Sequence, residues 1–126
     1  MKLNDPSVVA EVSQAFERYE RALLGNDNET LLSMFLNDAA TVRYGVADVQ
    51  HGFYEIAAFR RSQVPFERTL SQTVITAYGN DCATASTLFH RPDLPGQVGR
   101  QMQVWVRTEN GWRVAAAHVS MIEGPA

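Results

Sequence analysis

Hydrophobic residues recur along the first part of the chain at steps of three and four positions. Asp5 followed by Pro6 is typical of a helix start, because a carboxylate can cap the first turn and proline is tolerated at the first helical position. The apolar positions that follow lie on one helical stripe: Val9, Val12, Phe16, Tyr19 and Leu23. Gly25 is expected to end this helix.

Two further helices and one short strand are predicted before the midpoint of the chain. Asn26 and Glu29 resemble a capping box that opens a short helix through Phe35. Thr41–Gly45 has the pattern of a short strand bounded by glycine, and a loop carrying Asp48 follows it. After His51 and Gly52, a third helix is predicted over roughly residues 53–61.

The pattern changes to that of β-structure from residue 66 onward. Turn signals at 79–81, 92–96 and 109–111 separate four β-rich runs, roughly 66–78, 82–90, 98–108 and 112–122. A chain in which the helices come first and a meander of strands comes last is typical of an α+β fold. We therefore predict one domain over residues 1–126, in which three N-terminal helices pack on one curled antiparallel sheet.

The last predicted strand has two faces, and neither has the composition of a solvated surface. One face would carry Trp112, Val114, Ala116, His118 and Ser120, and the other Arg113, Ala115, Ala117, Val119 and Met121. The helices can cover one face of the sheet, so the other needs a partner, for which a sister subunit is the simplest choice. We expect a homodimer through the convex sheet face, with Ala115, Ala117, Val119 and Met121 as its apolar row.

Composition and charge exclude several classes of protein. A hydrophobic fraction of 45% with 20% charged residues is that of an ordinary globular chain, and the formal net charge of −3 argues against a nucleic-acid partner. Cys82 is the only cysteine, which excludes an intramolecular disulfide and a multi-cysteine metal site. The N-terminus lacks the apolar run of a signal peptide, and no membrane span is predicted, so we expect a cytoplasmic protein without a membrane partner.

Motifs for cofactors and metals are absent from the sequence. It has no glycine-rich phosphate loop, no G-x-S-x-G elbow and no H-E-x-x-H spacing. His51, His90 and His118 are far apart and lack acidic neighbours at ligand spacing. We therefore expect neither a cofactor nor a metal.

Tyr19 and Arg43 each admit two interpretations. Tyr19 lies on the buried stripe of the first helix, either as a core aromatic or with its hydroxyl directed into an interior cavity. Arg43 interrupts an apolar run, so it either faces solvent from the strand edge or points inward. An inward Arg43 would need an anionic partner, and a ligand carboxylate held by two N–H···O bonds would serve.

A second group of polar residues could complete a pocket. Arg60 borders the apolar face of the third helix, where a role at the pocket rim and a surface salt bridge are both open. Gln101, Gln103 and Trp105 share one strand face, and their polar groups need partners in a dry core. They would line either a polar pocket or a wet dimer interface.

Histidine is the residue that titrates near neutral pH, which makes His118 a candidate for proton transfer. Ser120 shares its predicted face and is taken as a substrate-binding candidate. A structural role for a lone histidine in an apolar strand is the alternative. His90, beside the proline-rich turn, ranks below His118.

The chain as a whole resembles the NTF2-like superfamily, in which three helices precede a long curled meander. Specific stretches look like its AtzH-like branch: Arg43–Gly45, Gly52, Ile56–Arg60, Gly99–Arg107 and Gly111–Ser120. That branch includes proteins of oxalurate and cyanuric-acid catabolism. The resemblance extends from about Tyr19 to Ser120, and its last third is specific.

This resemblance implies a function for particular residues. Members of the branch are associated with small carboxylated urea derivatives, and one has a hydrolytic role on a dicarboxylated urea. Tyr19 and Arg43 match the proposed functional pair. Arg43 would hold a substrate carboxylate, Tyr19 would donate to a carbonyl oxygen, and His118 could activate water.

Two alternatives to a hydrolase of carboxylated ureas or oxalurate-like compounds stay open. One is a non-catalytic binding or accessory subunit of an amidase. The other is an isomerase-like proton shuttle, for which Asp48 is the nearby carboxylate. The fold alone does not separate them.

Overall fold

Helix α1 (Pro6–Leu24) begins where the Asp5–Pro6 pair predicts it. The computed structural model describes residues 1–124, and in it the Asp5 carboxylate accepts a hydrogen bond of 3.0 Å from the Ser7 backbone N–H. The predicted apolar stripe is largely buried, and Gly25 is the C-cap residue. The capping residues thus predicted the limits of α1, and the periodicity predicted the face that enters the core.

The short helix α2 (Asn28–Ser33) begins one residue later than predicted. Its cap is Asp27, whose Oδ1 accepts a hydrogen bond of 3.2 Å from the Thr30 backbone N–H. Asn26 has φ 52, so it serves as the left-handed residue between the two helices rather than as the cap. Helix α3 (Phe53–Ser62) follows Gly52, as predicted.

In the described residues, 1–124, six strands form one sheet against these helices. They are β1 (Val42–Tyr44), β2 (Val49–His51), β3 (Thr69–Tyr78), β4 (Cys82–His90), β5 (Gln97–Thr108) and β6 (Gly111–Glu123). Their order is β2-β1-β6-β5-β4-β3. The four long strands make the predicted antiparallel meander, while β1 runs parallel to β6, and the short β2 lies in what was predicted as a loop. The predicted α+β class, with helices packed on a curled sheet, is confirmed.

A β-bulge in β6 changes which residues face inward. Val104 pairs with Ala116 while its neighbour Trp105 pairs with Val114, so Ala115 is an extra residue. An extra residue reverses the alternation beyond it. Trp112 and Val114 are buried, but past the bulge the inward positions are Ala117, Val119 and Met121, whereas His118 and Ser120 lie on the outer face.

Two predictions from strict alternation are therefore wrong. His118 and Ser120 do not share the face of Trp112. Ala117, Val119 and Met121 line the interior, so they do not form an apolar row on the convex face.

The core fills the space between α1, α2 and the sheet. Trp105, Val12, Leu31 and Val114 are at most 1% exposed. No helix within residues 1–124 is long and apolar enough to cross a membrane.

Candidate functional site

A cavity of about 430 Å³ opens between the helices and the inner face of the sheet, beside the packed core. Its wall includes residues of α1, α3, β1, β5 and β6. Three apolar residues from separate loops border its mouth, namely Val46, Val64 and Leu94. The polar residues of its wall and rim are Tyr19, Arg43, Asp48, Arg60, Gln63, Arg68, Arg91, Gln97, Gln101 and Gln103.

Arg43 points inward, with only 12% of its side chain exposed. Its Nη1 donates to Asp48 Oδ1 at 2.7 Å and to Gln50 Oε1 at 2.8 Å, and its guanidinium lies 4.7 Å from the centroid of the Phe59 ring. The anion that a buried Arg43 requires is thus supplied by the protein itself. Nε and Nη2 have no hydrogen-bond partner among the described residues.

A close approach at Gly45 allows this ion pair to form. The β1–β2 turn closes with a hydrogen bond of 2.9 Å from the Gly45 backbone N–H to the Asp48 carbonyl oxygen. A Cβ atom at Gly45 would clash with the Asp48 carboxylate. Glycine at this position therefore lets the Asp48 carboxylate fold back over the turn toward Arg43.

The Asp48 carboxyl has a lowered pKa. Burial alone would raise it, but the hydrogen bond from Gln50 and the charge and hydrogen bond of Arg43 together outweigh that effect. Gln50 Nε2 donates to Asp48 Oδ1 at 2.9 Å. Asp48 is therefore an ionised carboxylate at neutral pH.

Arg60 lies in the same wall with a different environment. Within residues 1–124 it has neither a salt bridge nor a hydrogen-bond acceptor for its side chain, and its nearest aromatic contact places the guanidinium 5.6 Å from the Phe59 centroid. Burial lowers the pKa of Arg60; Tyr19 opposes this effect, and the positive charges of Arg43 and Arg68 add to it. An unpaired guanidinium in a concave site is suited to hold an anion.

Tyr19 lines the cavity and is 5% exposed. Its ring is held edge-on between Phe35, at 5.8 Å between centroids, and Trp105, at 6.0 Å. The hydroxyl has no hydrogen-bond partner in the part of the chain that the structure describes. Both interpretations of Tyr19 thus hold at once, since the ring is in the core and the hydroxyl is free to contact a ligand.

A buried ion pair that the sequence did not reveal contributes Arg68 to the cavity wall. Arg68, whose side chain is 3% exposed, donates from Nε and Nη2 to Glu20 at 2.8 and 2.6 Å. Its Nη1 donates to Gln101 Oε1 at 3.1 Å. In the sequence, Glu67 and Arg68 are adjacent charged residues of the kind found on protein surfaces. No local signal distinguishes Arg68 from a solvent-exposed residue.

Gln101, Gln103 and Trp105 share the inner face of β5, as predicted, and are at most 5% exposed. Gln101 and Gln103 line the cavity, while Trp105 lies just below it in the core. Trp105 Nε1 donates to Gln103 Oε1 at 3.0 Å.

His118 and Ser120 are not part of this site. His118 is exposed on the outer face of β6, where its ring lies 6.1 Å from that of Tyr44. Ser120 Oγ accepts a hydrogen bond of 3.1 Å from Arg100 Nε on the same face. Placing these two residues with Tyr19 and Arg43 was therefore wrong, because the bulge at Ala115 turns them away. No group of histidine, cysteine and acidic residues suited to a metal occurs in residues 1–124.

The geometry defines a class of protein, a helix-capped cone of curled sheet with a cationic interior cavity. The family model described as AtzH-like matches residues 1–125, so the chain belongs to the AtzH-like family. A cystatin-like fold protein from Burkholderia xenovorans is 46% identical, with 99% of each chain covered and a TM-score of 0.95.

Two more solved structures are similar to the chain. A protein of unknown function from Pectobacterium atrosepticum is 47% identical, with 96% of this chain and 95% of that chain covered and a TM-score of 0.92. An NTF2-like superfamily protein from Salmonella enterica is 27% identical, with 95% and 92% covered and a TM-score of 0.71. No curated protein matches the chain significantly.

Proposed function

We propose that the protein binds a small carboxylated urea or oxalurate-like compound in the cavity and hydrolyses one of its C–N bonds there. The observation that carries this proposal is the unpaired guanidinium of Arg60 in a wall that also contains Arg43 and Arg68. Arg43 and Arg68 have carboxylate partners, so the wall keeps a positive charge that a ligand carboxylate would neutralise. A volume of about 430 Å³ suits a small ligand.

The residues around the cavity suggest how such a ligand would be oriented. Its carboxylate would bind to Arg60 and to the free nitrogens of Arg43. A carbonyl oxygen would then accept a hydrogen bond from the Tyr19 hydroxyl, whose ring is fixed by Phe35 and Trp105. A donor already in place when negative charge develops on that oxygen lowers the barrier to attack at the carbonyl carbon.

Hydrolysis requires a base, and Asp48 is the carboxylate that lines the cavity within residues 1–124. Asp48 would take a proton from water while the water oxygen bonds to the carbonyl carbon. The C–N bond would then break as the proton passes to the departing nitrogen. In sum, one water is added across the C–N bond, and no nucleophile of the protein is acylated.

Asp48 also supports a second candidate function. In an isomerase-like proton shuttle, an interior carboxylate removes a proton from carbon and returns it elsewhere on the same molecule. The lowered pKa of Asp48 weakens it as a base toward water and toward carbon alike, so product analysis has to separate the two functions.

Calorimetry with oxalurate and a carboxylated urea tests the proposal, with two neighbouring arginines as a matched pair. Arg60→Met should weaken binding by about ten- to a hundredfold, the usual effect of losing a charge-assisted hydrogen bond. Arg61→Met removes the same charge from an exposed residue outside the cavity wall and should leave the affinity unchanged. Equal affinities in the two variants would refute the site.

Turnover separates the enzyme from the binding module. Tyr19→Phe keeps the ring and removes a hydroxyl that has no hydrogen-bond partner among residues 1–124, so the fold should persist while hydrolysis slows. If the wild type binds these compounds but releases no product, the protein is a binding or accessory subunit, with an amidase as its partner. Proton exchange into the ligand without hydrolysis would identify the isomerase-like activity.

A further inference from the structure

The orientation of one buried amide determines what the floor of the cavity offers to a ligand. Gln103 is 1% exposed, and its Oε1 accepts the hydrogen bond from Trp105 Nε1. An indole nitrogen can only donate, so turning the amide over would set two donors against each other. Trp105 is 0% exposed and is packed into the core, so it cannot move aside. The amide nitrogen is therefore the group that Gln103 has available for a ligand.

That nitrogen is open to the cavity and free. Gln103 lines the cavity, and among the described residues its Nε2 has no hydrogen-bond partner. This nitrogen is not fully buried, so a ligand in the cavity can reach it. Trp105 also packs edge-on against Tyr19 at 6.0 Å between centroids. One indole thus positions two neutral hydrogen-bond donors, the Gln103 amide and the Tyr19 hydroxyl.

Neutral donors and guanidinium groups suit different parts of a ligand. A carboxylate gains most from the charged groups of Arg60 and Arg43, whereas an uncharged carbonyl oxygen is well matched by an amide or a hydroxyl. An N–H group of the ligand placed at the Gln103 amide nitrogen would meet another donor, because the bond from Trp105 fixes which end of the amide is the oxygen. Leaving a buried donor unpaired is costly, so such a ligand is rejected.

We propose that Gln103 is the residue that selects a carbonyl oxygen over an N–H group at the cavity floor. Trp105 is its positioning residue, which acts by fixing the orientation of the amide. This inference rests on the proposed function, since it divides the ligand into a carboxylate end at Arg60 and a carbonyl end at Gln103.

Gln101 provides a matched control. It lies two residues earlier on the same face of β5 and lines the same cavity, and its Oε1 accepts a hydrogen bond from Arg68 Nη1. Its Nε2, however, is sealed from solvent, and the structure gives it no partner within the described range. Replacing either glutamine by glutamate keeps the acceptor oxygen and adds one negative charge, but only at Gln103 does the change remove a donor open to the cavity.

Two ligands with one skeleton test the selection. Ureidoacetate carries a carboxylate and a C=O group, and guanidinoacetate has C=NH2⁺ in place of that C=O. Calorimetry at pH 7 should show the wild type binding ureidoacetate at least about tenfold more tightly. Gln103→Glu should reduce this preference to about threefold or less, while Gln101→Glu should stay within about threefold of the wild-type ratio. The cavity arginines disfavour guanidinoacetate in every variant, so the contrast between the two glutamate variants is the decisive measurement.

Trp105→Phe removes the indole donor without changing any charge. The Gln103 amide is then free to rotate. The preference for ureidoacetate should fall, although Gln103 and Tyr19 are both still present. If Trp105 had only a structural role, its loss would weaken the binding of both ligands equally and leave the ratio of their affinities unchanged. If Trp105→Phe does not fold, as judged by thermal unfolding, the two glutamate variants still decide the question.

The outcomes separate this inference from the proposed function. Ureidoacetate binding with the same preference in Gln103→Glu and Gln101→Glu would overturn the role of Gln103 and leave the anion site standing. A wild type that binds neither ligand would overturn both.

Discussion

Arg43 and Arg60 share one cavity wall and differ in what neutralises them. Arg43 is held by Asp48 and Gln50, whereas Arg60 has no such partner within residues 1–124. The first arrangement holds the β1–β2 turn against the cavity, and the second leaves a charge for a ligand. The two arginines thus differ in their surroundings, because the β1–β2 turn places the Asp48 carboxylate beside Arg43, and no carboxylate of the described residues forms a salt bridge with Arg60.

The Asp48–Arg43 pair makes stability depend on pH. The folded-state pKa of Asp48 is lowered, so the unfolded chain binds the proton more readily, and the stabilisation is present above about pH 4 and lost as pH falls through the folded value. Asp48→Asn should destabilise the fold at pH 7 by about 1–3 kcal/mol, between the values for exposed and buried pairs. Urea unfolding at pH 7 and at pH 3 checks this, and the difference between wild type and variant should shrink at pH 3. An equal difference at both pH values would contradict it.

Strand β6 shows which structural features local sequence patterns carry. Helix α1 and the four long strands were predicted correctly, because their periodicities and turn residues are local signals. The bulge was missed because it falls in Ala115-Ala116-Ala117, three equal small residues that do not distinguish the two faces. The error spread along the strand, so His118 and Ser120 were assigned to the wrong side of the sheet. Tyr19 and Arg43 lie outside β6, and both line the cavity. Arg68 was missed because its partner Glu20 is 48 residues away.

Adjacent substitutions in β6 test the bulge. Val119 lines the cavity and Ser120 lies on the outer face beside Arg100. Val119→Asp should abolish binding of an anionic ligand, because it places a carboxylate in the cavity wall, whereas Ser120→Asp should leave the affinity within about twofold. Calorimetry with oxalurate measures both, and regular alternation without a bulge would give the reverse result.

For the whole molecule, the outer sheet face carries an unbroken row across all six strands. In register order it runs Val74, Ser86, Met102, His118, Tyr44 and Val49. Val74, Met102, Tyr44 and Val49 are 42–59% exposed, and contiguous exposed apolar residues often mark a contact surface. We propose that a second copy of the chain covers this row, so the homodimer expected from the sequence forms through the predicted face but with different residues.

Met102, near the centre of that row, gives the test. Met102→Glu should convert a dimer into a monomer in sedimentation at micromolar concentration, since two carboxylates would be brought together at a two-fold interface. Val64→Glu, at an exposed apolar residue of the cavity mouth, is the control and should leave the mass unchanged. A wild type that sediments as a monomer would refute the dimer.

The bulge at Ala115 also bears on how proteins of this shape can diverge. Beyond it, Ala117, Val119 and Met121 belong to the cavity, and His118 and Ser120 to the outer surface. Point substitutions at alternate positions of residues 117–121 can therefore change either the ligand preference of the cavity or the outer surface, without changing the other. A single-codon insertion or deletion there would exchange the two surfaces at once, so this stretch tolerates changes of residue far better than changes of length.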